Sequence, residues 1–239
     1  MSTSGSTTFT TSRDGIIKAA MRKCAVLAKG QTPDTEDLTN GTEALNALIA
    51  EFMTLGMQMW KRIQYTFTPV AGTSLYQIGL GKTFNVAFPQ KIHQAFIQDV
   101  SSNSRIPLNI ISYQNYYLLP RTGSSGLPVQ LMYQAFRNYG ELNLWPTPDS
   151  GTASTKQITI LYQTPIEYFS SSSDEMDFPL EWYNALVYGL ASLLAPEFSV
   201  PLNDRGLLAK EAEKHLETAI SFGTEDASYF VQPVTRMGG

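Results

Sequence analysis

The stretch that decides the fold is residues 177–196, which read DFPLEWYNALVYGLASLLAP. Apolar side chains recur there at spacings of three and four residues, the period of an α-helix with one buried face. This stripe consists of Leu180, Tyr183, Leu186, Val187, Leu190 and Leu194. Asp177 is placed to cap the helix, Pro179 suits its first turn, and Pro196 ends it. The sequence therefore predicts an amphipathic helix that other elements have to cover.

A second helix is predicted to follow directly. It begins at Asn203 or Asp204 and ends at Gly223, a residue type suited to the left-handed position that closes many helices. Its apolar stripe consists of Leu208, Ala212, Leu216, Ala219 and Ile220. The face opposite this stripe is charged and is expected to meet solvent.

Two further helical patterns lie at the N-terminal end of the chain. The first has an apolar face of Ile16, Ile17, Ala20, Met21, Cys24 and Leu27 and is expected to end at Gly30. The second begins near residues 32–36 and ends at Gly56, and its apolar face consists of Leu38, Leu45, Leu48, Ile49, Phe52 and Met53. We expect the helix pairs in residues 13–60 and 177–223 to form one four-helix-type body. Its predicted core contains Leu45, Leu48, Phe52, Leu186, Leu190 and Leu194.

Residues 61–165 have a different pattern, in which short runs of alternating apolar and polar residues are separated by Gly, Pro, Ser and Asn. After a first strand near residues 63–67, further strands are predicted at 74–78, 91–100, 106–111, 129–137, 141–144 and 157–163. SSNS at 101–104 and NYGE at 138–141 are typical of hairpin turns, and residues 112–118 indicate one short helical turn. The fold class is therefore α+β, with an antiparallel β domain, a sandwich or barrel, inserted between the two helix pairs.

The remaining segments are predicted to be connections. Residues 1–12 are rich in Ser and Thr and are expected to form a flexible arm. Residues 166–176 form a polar hinge, and residues 224–239 form a tail without helical or strand periodicity. Within the tail, Tyr229, Phe230 and Val231 make an apolar cluster that Arg236 follows. We expect these four residues to dock on a neighbouring subunit or on a partner protein.

Charge and hydropathy exclude several classes of protein. The 239 residues have a net charge of −4. The first 120 residues contribute +3 and the remainder −7, and neither part contains a cluster of Lys and Arg. This balance argues against tight nucleic-acid binding, which needs cations that neutralise phosphates. The longest apolar run, residues 185–195, is shorter than the roughly 20 residues of a membrane span, and no cleavable signal is visible, so we expect production in the cytosol.

Motifs for metal, cofactor or nucleophilic chemistry are not found in the sequence. His93 and His215 have no Cys, His or carboxylate at the spacing of metal ligands. Cys24, the only cysteine, lies on an apolar helix face and is interpreted as a core residue. GLGK at residues 79–82 does not have the glycine spacing of a phosphate-binding loop. No cofactor is therefore expected.

Two groups of residues leave other functions open. The carboxylates of Asp174, Glu175, Asp177 and Glu181 resemble an acid/base set for peptidoglycan hydrolysis, although acidic residues are also favoured at any helix N-terminus. The aromatics of the β domain are candidates for glycan or receptor binding, although core and interface packing explains them better. They are Tyr113, Tyr116, Tyr117, Tyr133, Phe136, Tyr139 and Trp145.

Three segments, taken in their order along the chain, resemble a known family. They are AAMRKCAVLAKGQTPDTEDLTNGTEALNALIAEFMTLGMQMW at 19–60, YGELNLWPTP at 139–148 and FPLEWYNALVYGLASLLAPEFSV at 178–200. Together with the layout of helix pair, β insert and helix pair, they are similar to the head-to-tail adaptors of short-tailed phages, the tail tubular protein A and portal-bound head-completion proteins. The resemblance extends from about residue 14 to residue 222.

The resemblance implies a structural protein of the virion without enzymatic activity. It implies a homo-oligomeric ring, expected to be twelvefold, that is made in the host cytoplasm and added to the portal protein at the head–tail junction. Such a ring retains packaged double-stranded DNA, lets it pass without specific binding, and provides the platform for the tail nozzle and fibres. No membrane partner is implied.

Overall fold

A computed structural model of the chain describes residue 9 and residues 11–28, 30–56, 59–120 and 123–222. Its contacts divide the chain into two units. The first joins residues 1–57 to residues 168–239, and the second consists of residues 58–167. The first contains the long helices and the second contains the sheets, so the chain is α+β.

Six α-helices occur in the described residues. They are α1 (Arg13–Lys23), α2 (Thr35–Thr54), α3 (Tyr113–Tyr117), α4 (Ser150–Thr155), α5 (Tyr183–Leu194) and α6 (Leu202–Phe222). The first, second, fifth and sixth lie in the helical unit, whereas α3 and α4 are short helices of the β unit. Among the described residues, none of the helices combines the length and the hydropathy that a membrane span requires.

Helix α5 contacts α1, α2 and α6 in the helical unit, and α1 also contacts α2. The inward side chains of α5 are almost completely buried, with Leu186, Leu190 and Leu194 at most 1% exposed. On α2, Leu45, Leu48, Ile49 and Phe52 are at most 4% exposed. Burial of these side chains contributes about 1.5–3 kcal/mol each, so the packing of α2 and α5 stabilises the unit.

The first helix ends earlier than its apolar pattern indicates, and the predicted extension through Cys24 and Leu27 to Gly30 is wrong. Helix α1 ends at Lys23 because Ala25 adopts a left-handed conformation with φ 57°. The Val26 amide then donates to the Met21 carbonyl at 3.3 Å, which closes the helix in the manner usually provided by glycine. Cys24 remains buried, and its thiol donates to the Ala191 carbonyl at 3.3 Å.

The start of α5 also differs from the prediction. A 3₁₀ turn at Leu180–Trp182 precedes the α-helix, and the Trp182 amide donates to the Pro179 carbonyl at 3.0 Å. The prediction that Asp177 caps the helix is therefore wrong. Leu180, which was assigned to the buried stripe, is 48% exposed because the tighter 3₁₀ turn changes the direction of its side chain. Helix α6 begins one residue before the predicted Asn203, and its predicted end at Gly223 lies outside the described residues.

Ten strands occur in the described residues of the β unit. They are β1 (Arg62–Phe67), β2 (Leu75–Ile78), β3 (Lys91–Asp99), β4 (Arg105–Pro107), β5 (Asn109–Ile111), β6 (Ser125–Gly126), β7 (Gln130–Ala135), β8 (Gly140–Trp145), β9 (Thr147–Pro148) and β10 (Lys156–Gln163). One four-stranded sheet has the order β1-β10-β3-β4 and a second has the order β2-β8-β7-β5. Both are mainly antiparallel, but β5 pairs with β7 in parallel, as does β6 with β9.

The two four-stranded sheets share one hydrophobic core. Phe67, Ile97 and Ile158 contribute from the first sheet, and Leu131 and Leu142 from the second. The chain leaves the first sheet after β4 and enters the second at β5, so the single strand predicted at residues 106–111 is divided into two. Leu108 lies at the division and is 4% exposed, which places this bend in the core.

The predicted connections are partly packed. The side-chain amide of Asn46 on α2 donates to the Phe169 carbonyl at 3.0 Å and accepts from the Phe169 amide at 3.0 Å. Ser12 caps α1 and pairs with Glu175 in an isolated β-bridge. Of the predicted arm, residues 1–8 and 10 lie outside the described residues, while the ring of Phe9 lies edge-on to Tyr183 with centroids 5.1 Å apart.

Candidate interaction surfaces

The predicted docking residues of the tail, Tyr229, Phe230, Val231 and Arg236, lie outside the described residues. The candidate sites within the described chain are therefore the carboxylate cluster, the histidines, the aromatics of the β unit and the exposed apolar surfaces.

One carboxylate of the cluster near residue 174, that of Asp174, has a structural role. The Asp174 carboxylate accepts from the Ser170 amide at 2.7 Å and the Ser171 amide at 2.6 Å. These hydrogen bonds hold the pKa of Asp174 below its ordinary value. A general acid needs a raised pKa, so Asp174 is unsuited to donate a proton at neutral pH. Glu181 is exposed in the first turn of the 3₁₀ segment, where a negative charge is favoured.

The two histidines lie in different units and have different neighbours. The His93 ring nitrogen Nε2 is 3.1 Å from Gln163 Oε1. His215 stacks on Tyr188 with ring centroids 4.7 Å apart. Within the part of the chain that the structure describes, no three His, Cys, Asp or Glu residues are arranged to hold a metal ion.

Several aromatics of the β unit are packed against their own unit. The Tyr133 hydroxyl donates to the Pro89 carbonyl, and burial raises the pKa of Tyr133. Phe136 and Tyr139 stack with centroids 4.8 Å apart, and the Lys82 ammonium lies 4.4 Å above the Tyr139 ring. Local packing therefore accounts for these three aromatic rings.

Helix α3 presents Tyr113 and Tyr117 to solvent, whereas Tyr116 is partly buried. The rings of Tyr113 and Tyr117 lie 4.6 Å apart, and these residues are 53% and 62% exposed. Leu118, which follows the helix, is 80% exposed. Exposed tyrosines beside an apolar side chain are typical of protein interfaces, and this surface is a contact candidate on the β unit.

A cavity of about 450 Å³ lies in the helical unit, between the end of α1, the connection from α5 to α6, and the first turns of α6. Its lining includes Lys23, Phe198, Asp204, Leu207 and Leu208. The sequence assigned Leu208 to the buried stripe of α6 but gave no role to Phe198 or Leu207. The only available signal was the position of Leu207 beside that stripe, which does not distinguish a surface residue from a cavity wall.

One comparison identifies the family. The family model described as SU10 adaptor protein matches residues 13–234, a span that includes all of the β unit and most of the helical unit. Among curated proteins, no significant match to this chain was found.

Proposed function

The chain belongs to the SU10 adaptor protein family, and from that premise we propose that it forms a ring beneath the portal of a phage particle. Membership makes it a structural adaptor of the virion, a class that contacts portal and tail components. The finer proposal is that twelve copies, made in the host cytoplasm, retain packaged DNA, control its ejection, and provide the platform for the tail nozzle and fibres of a short-tailed phage.

The match over residues 13–234 is the observation that carries this proposal. The helical unit supports it with buried contacts of α5 with three other helices. We infer that these four helices act as a single four-helix-type body, because each has one apolar stripe and the four stripes are covered when the two pairs pack together. A rigid body of this kind suits a protein that bears contacts on several sides.

The charge of the chain supports passage of DNA through the channel of the proposed ring without binding to the channel wall. The net charge is −4, and acidic surfaces repel phosphates. Filter binding with linear duplex DNA near physiological salt should therefore give weak retention and a shallow dependence on salt concentration. Submicromolar binding that weakens steeply with added salt would contradict the proposal that the channel wall does not bind DNA.

Negative-stain imaging of the chain alone and with its portal protein tests the ring. We expect annular particles with twelvefold symmetry on one face of the portal. A chain that stays monomeric and leaves portal particles unchanged would overturn the proposal. A zymogram on peptidoglycan with the same preparation should remain negative.

We also propose that the tail residues Tyr229, Phe230, Val231 and Arg236 dock on a neighbouring subunit or on the portal. Truncation after Gly223 tests this, because docking between molecules and folding back on the same chain give opposite results. Docking predicts an unchanged melting temperature of the isolated monomer together with lost assembly. Folding back predicts a lowered melting temperature. Normal melting with normal assembly would contradict both roles of the tail.

A further inference from the structure

The cavity in the helical unit is an apolar recess that opens to solvent. Val200 and Leu208 form buried parts of its wall at 7% and 9% exposure, whereas Leu207 at its edge is 62% exposed. Its volume of about 450 Å³ falls within the range of sites that bind a ligand or an anchoring side chain. Lys23 and Asp204 bring one charge of each sign to the lining.

The backbone around the cavity is held in an unusual conformation. Three non-glycine residues of the described chain have positive φ, and two of them, Ala25 at 57° and Ser199 at 54°, line this cavity. Each closes a helix: the Val26 amide donates to Met21, and the Val200 amide donates to the Ala195 carbonyl at 3.1 Å. Such conformations persist only where the surroundings fix them, and they concentrate at binding sites. The recess is therefore a fixed feature of two helix ends.

We propose that this cavity binds the C-terminal tail of a second copy of the chain, with Tyr229 and Phe230 as the apolar anchors. The proposal rests on the ring assembly proposed above and names the groove that the tail occupies. It makes the cavity an intersubunit site repeated around the ring.

The tail and the cavity are complementary in the kinds of residue they offer. The tail contains Glu225 and Asp226, then its apolar cluster, then Arg236. The cavity offers an apolar wall together with the ammonium of Lys23 and the carboxylate of Asp204. Aromatic anchors in an apolar recess with charges at the rim are the usual anatomy of a protein interface.

The length of the chain favours the neighbouring copy over the chain's own tail. Helix α6 rises about 1.5 Å per residue, so Phe222 at its end lies about 22 Å from the level of Leu207. The seven residues from Phe222 to Tyr229 span at most about 25 Å when fully extended. A tail that returned along its own helix would have only about one or two residues left for the reversal of direction. A tail from another copy has no such constraint.

Cross-linking between two single-cysteine variants of the full-length chain tests the proposal. Cys24→Ser is the common background, since a serine hydroxyl can still donate to the Ala191 carbonyl, and an unchanged melting temperature verifies it. The Leu207→Cys and Phe230→Cys variants are mixed and treated with a short bismaleimide, with and without portal. A cross-link between positions 207 and 230 in this mixture can form only between chains, and mass spectrometry of the linked peptides identifies it.

The matched control is Leu202→Cys, which is also on α6, is 81% exposed and lies outside the cavity lining. We expect the cross-link from position 207 to exceed that from position 202 at least tenfold. Equal yields would overturn the proposal. Preferential cross-linking within one chain, in a dilute Leu207→Cys/Phe230→Cys double variant, would also overturn it in favour of the chain's own tail.

A second measurement separates this inference from the ring proposal. Leu207→Arg is expected to weaken self-association at least tenfold in sedimentation, whereas Leu202→Arg leaves it unchanged. Rings that form on the portal without a preferential cross-link would refute the assigned groove and leave the adaptor role intact. A preferential cross-link in a chain that never binds portal would refute the adaptor role and leave the groove intact.

Discussion

Helices α2 and α5 approach each other closely at Gly189, and this approach can be tested with a single methyl group. A Cβ at Gly189 would lie 2.9 Å from Cδ2 and 3.2 Å from Cδ1 of Leu48. Leu48 is 4% exposed, so its side chain has little room to move. Gly189→Ala gains about 1 kcal/mol of helix propensity and loses about 1–3 kcal/mol to overpacking. We expect a net destabilisation of up to about 2 kcal/mol.

Gly206 provides the matched control because it also lies within a helix, α6, but a Cβ there would have no atom within 4 Å. Gly206→Ala should therefore stabilise the unit by about 1 kcal/mol. Urea denaturation followed by circular dichroism at 222 nm measures both variants, since the long helices all lie in this unit. Equal effects at the two glycines would refute the close approach.

The sign of the Gly189→Ala effect should reverse when Leu48 is shortened. Leu48→Ala alone should cost about 2–5 kcal/mol, because it removes buried methyl groups and leaves a cavity. In that background, the methyl group at position 189 meets empty space, and Gly189→Ala should stabilise by about 1 kcal/mol. Destabilisation of the same size in both backgrounds would show that the methyl group does not contact Leu48.

Four further predictions concern the two units. Leu190→Ala should cost about 2–5 kcal/mol and should not add simply to Leu48→Ala, whereas strict additivity in denaturant melts would indicate separate cores. Replacement of the inserted β domain, residues 61–165, by a short Gly/Ser linker should leave a soluble helical remnant, and recovery of only aggregated chain would contradict an independent β unit. The pKa of Asp174 is lower in the folded chain than its value of about 3.9 in the unfolded chain, so the ionised carboxylate stabilises the fold at pH values above about 3.9. This stabilisation is lost as the pH falls through the folded pKa, so Asp174→Asn should flatten the acid limb of a pH–stability curve. Burial raises the pKa of Tyr162 to about 12, so the contribution of its neutral hydroxyl to stability is complete below about pH 10 and is lost as the pH rises to about 12. Tyr162→Phe should therefore flatten the alkaline limb of the pH–stability curve. An unchanged alkaline limb would show that another group titrates.

Sequence patterns predicted the elements whose signals are local. The start of α2 is an example, because Asp34 accepts from the Asp37 amide at 2.8 Å and caps the helix at the predicted place. The end of α1 was not predictable in the same way, since alanine at position 25 has no preference for the left-handed conformation it adopts. Helix α4 was missed because Ser and Thr are weak helix formers, and only the cap formed by Asp149 marks its start.

The topology and the cavity depend on contacts between distant parts of the chain. Alternation predicted the longer strands of the β unit but not the two-residue strands β6 and β9. Nothing in residues 106–111 indicated that β5 would pair in parallel with β7. The cavity forms where the end of α1 meets the connection between α5 and α6, so its walls come from opposite ends of the sequence. A pattern within one helix cannot report such a junction, and for this reason Phe198 had no predicted role.

The close approaches at two glycines also distinguish the residues that stabilise the helical unit from those that are exposed and available for assembly. Helix α2 is approached closely on two sides, because a Cβ at Gly41 would lie 2.7 Å from Ile17 and a Cβ at Gly189 would lie 2.9 Å from Leu48. Both contacted side chains are at most 4% exposed. On α6, in contrast, only Leu208 and Ala219 are buried. Substitutions at exposed positions such as Leu207 usually change stability by no more than about 0.5 kcal/mol. A loss of assembly in Leu207→Arg with an unchanged denaturation curve would therefore report a lost contact between molecules, because this side chain is 62% exposed in the fold.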